Sequence, residues 1–152
     1  MQPMWLVCAL VLYMLAPAAH AQQACPWLTQ GTAEKLMGGP VTADIHAPTA
    51  DQGTCVFTQS TATNTVVLRI EAGNQVPAVC VGGDHLKGIG DEAVRCVTDR
   101  SEEHREAIQG HVRSTQFALT LTVRGNSLSH LQPDAQRSAA EQIAEEVAGS
   151  LF

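Results

Sequence analysis

The segment TQFALTLTVR, residues 115–124, decides the fold. Its large apolar side chains occupy every second position, at Phe117, Leu119, Leu121 and Val123. Successive side chains of a strand point to opposite faces, so this alternation predicts a strand with one buried face and one face toward water. Strands of that two-sided kind are typical of antiparallel sheets, and we expect such a sheet here.

Other strand patterns surround this segment. Before it, Val66, Leu68 and Ile70 alternate with more polar neighbours. Arg113 and Ser114 separate two apolar runs and predict a hairpin turn. The segments predicted as strands besides residues 115–124 are residues 54–59, 65–72, 92–98 and 107–112.

The two ends of residues 22–152 carry helix signals. Thr29 is placed to cap the start of a short helix, and Gly38 with Gly39 and Pro40 marks its end. After Pro133, apolar residues recur at helical spacing. The stripe consists of Ala135, Ala139, Ala140, Ile143, Ala144, Val147 and Leu151.

These patterns predict a single α+β domain spanning residues 22–152. One antiparallel sheet is expected, with an N-terminal and a C-terminal helix packed on the same face and two disulfides as cross-links. Neither a linker nor an internal repeat divides this part of the sequence.

Residues 1–21 are interpreted as a cleavable signal peptide. An apolar run is followed by Pro17 and by Ala19-His20-Ala21, the small-x-small pattern that signal peptidase reads. Cleavage after Ala21 would place the protein in the periplasm or outside the cell. Two alternatives stay open, a membrane anchor, which needs roughly 20 apolar residues, and a lipoprotein modified at Cys25. No membrane span is expected after cleavage.

The net charge of the chain restricts its possible partners. The net charge of -6 disfavours nucleic acid, whose phosphates an acidic surface repels.

Four cysteines follow the signal, and in an oxidising compartment an even number predicts two disulfides with three possible connectivities. These cysteines are Cys25, Cys55, Cys80 and Cys96.

The order of several short motifs resembles one family. Cys25 with Leu28-Thr29, a helix ending in LMGGPV, the segment GTCVF at residues 53–57, and GIGDEA at residues 88–93 occur in this order. The chain is similar to small exported bacterial proteins of unknown function grouped around the DUF3558 domain, many of them lipoproteins. The family's lipid anchor does not carry over, because this sequence has no convincing lipobox.

The resemblance also bears on the disulfides. In such proteins the cysteine near the first helix is tied to the cysteine of the next strand, which implies the pair Cys25–Cys55. We predict Cys80–Cys96 alongside it. The resemblance implies no enzymatic activity.

Histidines are the candidate metal ligands. His46 follows Asp44 at two residues, and His85 directly follows Asp84, and imidazole with carboxylate suits zinc or copper. The histidines after the signal are not spaced as a metal motif on either predicted helix, so scattered surface histidines are the simpler interpretation. We expect no bound metal and no cofactor.

Catalytic patterns are weak. Asp91 and Glu92 are neighbours in GIGDEA, but adjacent strand residues point to opposite faces and make a poor acid–base pair. We interpret this segment as a glycine turn. No G-x-S-x-G elbow is present, and the four cysteines are assigned to disulfides.

The sequence thus favours an exported, non-catalytic domain that binds an unknown protein or small ligand across its open sheet face. A periplasmic metal-binding protein is the first alternative, and a small hydrolase is the second. The predicted face consists of Val67, Arg69, Glu71, Thr120, Thr122 and Arg124.

Overall fold

The computed structural model describes residues 23–125 and 132–152. The predicted signal peptide and its cleavage site after Ala21 lie outside these residues. Within the described residues, two helices and seven strands follow one another. They are α1 (Gln30–Met37), β1 (Thr42–Thr49), β2 (Gln52–Ser60), β3 (Asn64–Gly73), β4 (Asp84–Leu86), β5 (Glu92–Arg100), β6 (Glu103–Val112), β7 (Thr115–Gly125) and α2 (Pro133–Ser150).

All seven strands form one antiparallel sheet in the order β1-β2-β3-β7-β6-β5-β4. The predicted fold class is confirmed, with one antiparallel sheet, a helix in the N-terminal region, a C-terminal helix and two disulfides. Two strands were not expected from the sequence. These are β1 and the three-residue β4, and each forms an edge of the sheet.

The local signals of α1 act as the sequence predicts. The side chain of Thr29 accepts a hydrogen bond from the backbone N–H of Thr32 at 3.1 Å. Gly38 ends the helix in the left-handed conformation, at φ 85°. Leu28 and Ala33 are both buried at the start of the helix. A capped end and an apolar contact therefore fix this short helix, despite Gly31 within it.

The core lies on the face of the sheet covered by the helices. Phe117, Leu119, Leu121 and Val123 of β7 are buried, as the alternation predicts. They belong to one apolar cluster with Ile143 and Val147 of α2. The buried side of α2 differs from the predicted stripe, because Ala135 is exposed, whereas Gln136 and Ala148, which lie outside the stripe, are buried.

Both predicted disulfides are present. Cys25 is bonded to Cys55, and Cys80 is bonded to Cys96. They act on opposite faces of the sheet. Cys55 is one of the core-facing residues of β2, opposite Ile70, whereas Cys96 lies opposite Ala107 on the face away from the helices.

Candidate functional site

The face of the sheet away from the helices contains the predicted binding residues. In the register of β3 and β7, Arg69 lies opposite Thr120 and Val67 lies opposite Thr122. Glu71 and Arg124 follow in the same alternation, so all six residues project to one side. This face is called the open face below.

Part of the open face is not open. Residues 74–83, called the crossing loop, run over strands β5 to β7. The backbone N–H of Val76 donates to Oε1 of Gln116 on β7 at 3.2 Å. The N–H of Val79 donates to Oε1 of Gln109 on β6 at 3.0 Å. The Cys80–Cys96 disulfide then fastens the loop to β5.

Thr120 corrects the predicted face. It projects to the open face but is only 9% exposed, so a partner cannot reach it. Its register neighbour Ala107 is also buried, and Sγ of Cys80 lies 3.5 Å from the backbone carbonyl oxygen of Ala107. The alternation of the strand predicted that Thr120 faces water. Nothing in the sequence indicated that the crossing loop passes over these strands.

The other five predicted residues are accessible to different degrees. Arg69 and Arg124 are exposed, whereas Val67, Glu71 and Thr122 are half-buried. The guanidinium of Arg69 pairs with the carboxylate of Glu71. Outside the crossing loop, this face is therefore partly exposed and partly charge-balanced.

Arg124 is paired as well. Its Nε lies 2.6 Å from Oε2 of Glu103, which comes from the neighbouring strand β6. The hydrogen bond from Arg124 holds the pKa of Glu103 below its ordinary value. The pair places opposite charges side by side on this face, with the guanidinium still largely exposed.

A cleft opens where the crossing loop ends against the β6–β7 hairpin. Its volume is about 410 Å³, within the range typical of small-molecule sites. We call it the loop cleft. The side chains that matter for its chemistry are Glu92, Gln109, His111, Ser114 and Gln116, with Cys80 on the wall formed by the loop.

The hairpin that bounds the cleft is held in an unusual backbone conformation. Arg113 has φ 54°, in the left-handed region that few non-glycine residues adopt. Its backbone N–H donates to Oδ2 of Asp91 at 2.6 Å. The N–H of Asp91 in turn donates to the carbonyl of His111 at 2.9 Å. The GIGDEA turn therefore braces the hairpin, whereas Glu92 lines the cleft.

The two histidines considered as metal ligands lie far apart. His46 is on β1 and His85 is on β4, the two opposite edges of the sheet, roughly 30 Å apart at ordinary strand spacing. Each has one carboxylate neighbour, Asp44 at 3.1 Å and Glu92 at 3.9 Å, respectively. Within residues 23–125 and 132–152, no group of three or more His, Cys, Asp or Glu side chains is placed to hold a metal ion.

A hydrolase would need a nucleophile joined to a base. Ser114 and His111 both line the loop cleft. Among the hydrogen bonds of the described residues, none joins these two side chains, and all four described cysteines are in disulfides. The geometry therefore offers binding groups in the cleft and no assembled nucleophile.

Sequence reasoning missed a buried charge cluster under α2. Glu106 is 3% exposed and Arg95 is 9% exposed, on the helix-covered face of neighbouring strands. Nη1 of Arg95 lies 3.3 Å from Oε1 of Glu141 on α2, and Nε2 of His104 lies 3.3 Å from Oε1 of Glu106. His104 also pairs with Asp99.

This cluster joins the sheet to α2, and its residues do not line the loop cleft. One feature of the sequence could have indicated this cluster. His104 and Glu106 lie two and four residues before Ile108, so they share its face of the strand, and Ile108 is buried. A charged residue at a core-facing position needs a partner, because burying an unpaired charge is costly. The sequence does not reveal that Arg95 supplies it.

Comparisons with known proteins identify no relative of this chain. In the part of the chain that the structure describes, neither helix has the length and apolar character of a membrane span. No family model matches the chain, and no curated protein or solved structure matches it. The resemblance to the DUF3558 group stays a prediction.

Proposed function

We propose that the chain is an exported, non-catalytic binding domain whose loop cleft holds a small polar ligand. The observation that carries this proposal is the construction of the cleft. One wall is fastened by the Cys80–Cys96 disulfide, and the other is braced by the bond between Arg113 and Asp91. Because the walls are fixed before binding, less conformational entropy is lost when a ligand binds.

The lining indicates the class of ligand. Glu92 supplies a carboxylate acceptor and His111 an imidazole, beside the hydroxyl of Ser114. Gln109 and Gln116 use their carbonyl oxygens to hold the crossing loop, and each keeps an amide NH₂ as a donor. Donors and acceptors together suit a polar molecule that carries both, such as an amino acid, a short peptide or a sugar.

Export is supported by the disulfides and by the predicted signal peptide. Disulfides persist in oxidising compartments and are rare in the cytosol. Two are present in the described residues. They are compatible with the periplasm or the extracellular space, which remain our proposed locations.

A protein partner is the second candidate, and the open face supports it. The exposed surface around Arg69 and Arg124 lies beside Val67 and Thr122, outside the crossing loop. Surfaces with paired arginines and some apolar area are common in protein interfaces. A partner bound there would leave the loop cleft free.

Calorimetry with amino acids, di- and tripeptides and simple sugars tests the proposal. We expect one class to bind, and expect Glu92→Gln or His111→Ala to weaken that binding at least about tenfold, as loss of a charged hydrogen bond does. Arg69→Ala, on the same face but outside the cleft, is the matched control and should bind normally.

The same protein distinguishes the alternatives. Binding lost in Arg69→Ala and kept in His111→Ala would favour the open face over the cleft. Saturable zinc or copper binding at one site would favour the metal-binding function instead. Turnover of ester or glycoside substrates, abolished by Ser114→Ala, would contradict the non-catalytic assignment.

A further inference from the structure

We propose that the edge strand β1 pairs with β1 of a second copy of this chain, in antiparallel register about Ile45. This inference is independent of the loop cleft. Within the described residues, β1 hydrogen-bonds to a neighbouring strand on one side only. It spans eight residues, whereas β4 at the other edge spans three. A long unpaired edge is a template for another strand.

The free backbone groups of β1 can be assigned by their alternation. The carbonyls of Val41 and Ala47 accept from the side chains of Gln30 and Gln23, not from β2. Backbone groups alternate in direction along an antiparallel strand. Ala43 and Ile45, of the same parity, therefore direct their N–H and C=O groups toward the free edge. The two glutamines cover the ends of the strand and leave its middle open.

The side chains of this middle segment are complementary to themselves. Asp44 and His46 project from the open face and are 74% and 77% exposed at their side chains. If Ile45 pairs with Ile45 of the second copy, each Asp44 lies opposite a His46. A carboxylate accepts a hydrogen bond from an imidazole N–H, and such cross-strand pairs stabilise a sheet, whereas like charges directly opposite each other destabilise it. Pairing about Asp44 instead would place two carboxylates against each other.

The other face of the same segment is apolar. Ile45 and Ala43 are half-buried and border a hollow of about 190 Å³ that Cys25 and Phe57 also line. In the proposed register the two Ile45 side chains meet at the two-fold axis beside these hollows. Isologous contact of this kind closes after two copies. The proposed interface thus has an apolar side, a polar side and backbone hydrogen bonds between them.

Sedimentation equilibrium of the exported, disulfide-bonded protein over a wide concentration range tests the pairing. We expect a monomer–dimer equilibrium with a dissociation constant on the order of 10–100 µM, typical of a small interface. Asp44→Lys places a cation opposite His46 and should raise this constant about tenfold or more. Glu145→Lys on α2 changes the net charge equally and should leave it unchanged.

Two further variants make the result specific to the register. The exchange D44H/H46D keeps a carboxylate opposite an imidazole across the axis, so its dissociation constant should lie within about threefold of the wild-type value. Ile45→Pro removes an outward N–H and should give a monomer at concentrations where the wild type is dimeric. A wild-type monomer at all concentrations up to about 1 mM, or a dimer insensitive to both Asp44→Lys and Ile45→Pro, would overturn the proposal.

Discussion

Leu121 and Thr120 are neighbours in the sequence and are both buried, for different reasons. Leu121 faces the helices and packs in the apolar core. Thr120 faces the other way and is buried on the side of the crossing loop. A two-residue period assigns each side chain to a face, but it does not say what covers that face.

Truncating Leu121 tests the core at the scale of one residue. Leu121→Ala should lower the free energy of unfolding by about 2–5 kcal/mol, because it leaves a cavity in a buried site. Thr122→Ala, on the opposite face and half-buried, should change it by no more than about 0.5 kcal/mol. Urea denaturation of both variants measures this, and a silent Leu121→Ala would show that the assigned face is wrong.

The buried charges show where residue-level prediction stops. Alternation places Glu106 on the core face of β6, where a carboxylate is unexpected. Its partners Arg95 and His104 come from a neighbouring strand and from two residues away. Only the register between β5 and β6 brings Arg95 within reach, and register was not predictable from one sequence.

Elements with strong local signals were predictable, and those without them were not. The helix α1 has a cap at each end, and β3 and β7 alternate cleanly. β1 contains Ala43, Asp44 and Pro48, residues that are poor strand formers, and it forms an edge strand. Pairing with β2 holds it in the sheet, a tertiary effect that propensity does not include.

The crossing loop is the element that the sequence left least determined. Its glycines and Pro77 predict an irregular segment, and this is what the structure contains. Its position is set by contacts distant in sequence, to Gln109, Gln116 and Cys96. The loop cleft exists only because of that position, so the candidate site could not be predicted although its disulfide was.

Removing the Cys80–Cys96 disulfide tests the loop as an element. The double substitution C80S/C96S should lower the free energy of unfolding by about 3 kcal/mol, since the disulfide closes a loop of 16 residues. The backbone N–H of Val79, bonded to Gln109, should exchange faster with solvent while the amides of β3 stay protected.

The same variant connects the loop to the proposed ligand site. Binding in the loop cleft should weaken together with the protection of Val79, because Cys80 forms part of the wall. Unchanged exchange at Val79 in C80S/C96S would mean that the glutamine hydrogen bonds hold the loop without the disulfide. The cleft would then owe its shape to Gln109 and Gln116.

At the scale of the whole molecule, one sheet is covered in two different ways. Two helices cover one face over an apolar cluster, and a disulfide-fastened loop covers part of the other. The fold class was predictable because alternating strands need one covered face and two helices supply it. No periodicity in the sequence predicted that the crossing loop covers part of the open face. Both candidate interaction surfaces, the loop cleft and the β1 edge, lie outside the apolar core.

The two disulfides also connect the fold to the proposed oxidising compartment, which gives the last prediction. Expressed with residues 1–21 in an exporting host, the protein should begin at Gln22 and contain no free thiol. Expressed as residues 22–152 in a reducing cytosol, it should unfold at a markedly lower temperature. The loops of 16 and 30 residues are each expected to contribute about 3 kcal/mol or slightly more, against a total of about 5–15 kcal/mol for a domain.

N-terminal sequencing, thiol titration and thermal denaturation of both preparations measure these three properties. Oxidising the cytosolic preparation is the control, because it should recover the higher unfolding temperature if the chain is otherwise identical. An N-terminus at Met1, or lipid on Cys25, would contradict the predicted processing. Equal stability of the reduced and oxidised forms would show that the core around Trp27, Phe57 and Phe117 holds the fold alone. The disulfides would then serve to fix Cys25 and the crossing loop to the sheet, not to keep the domain folded.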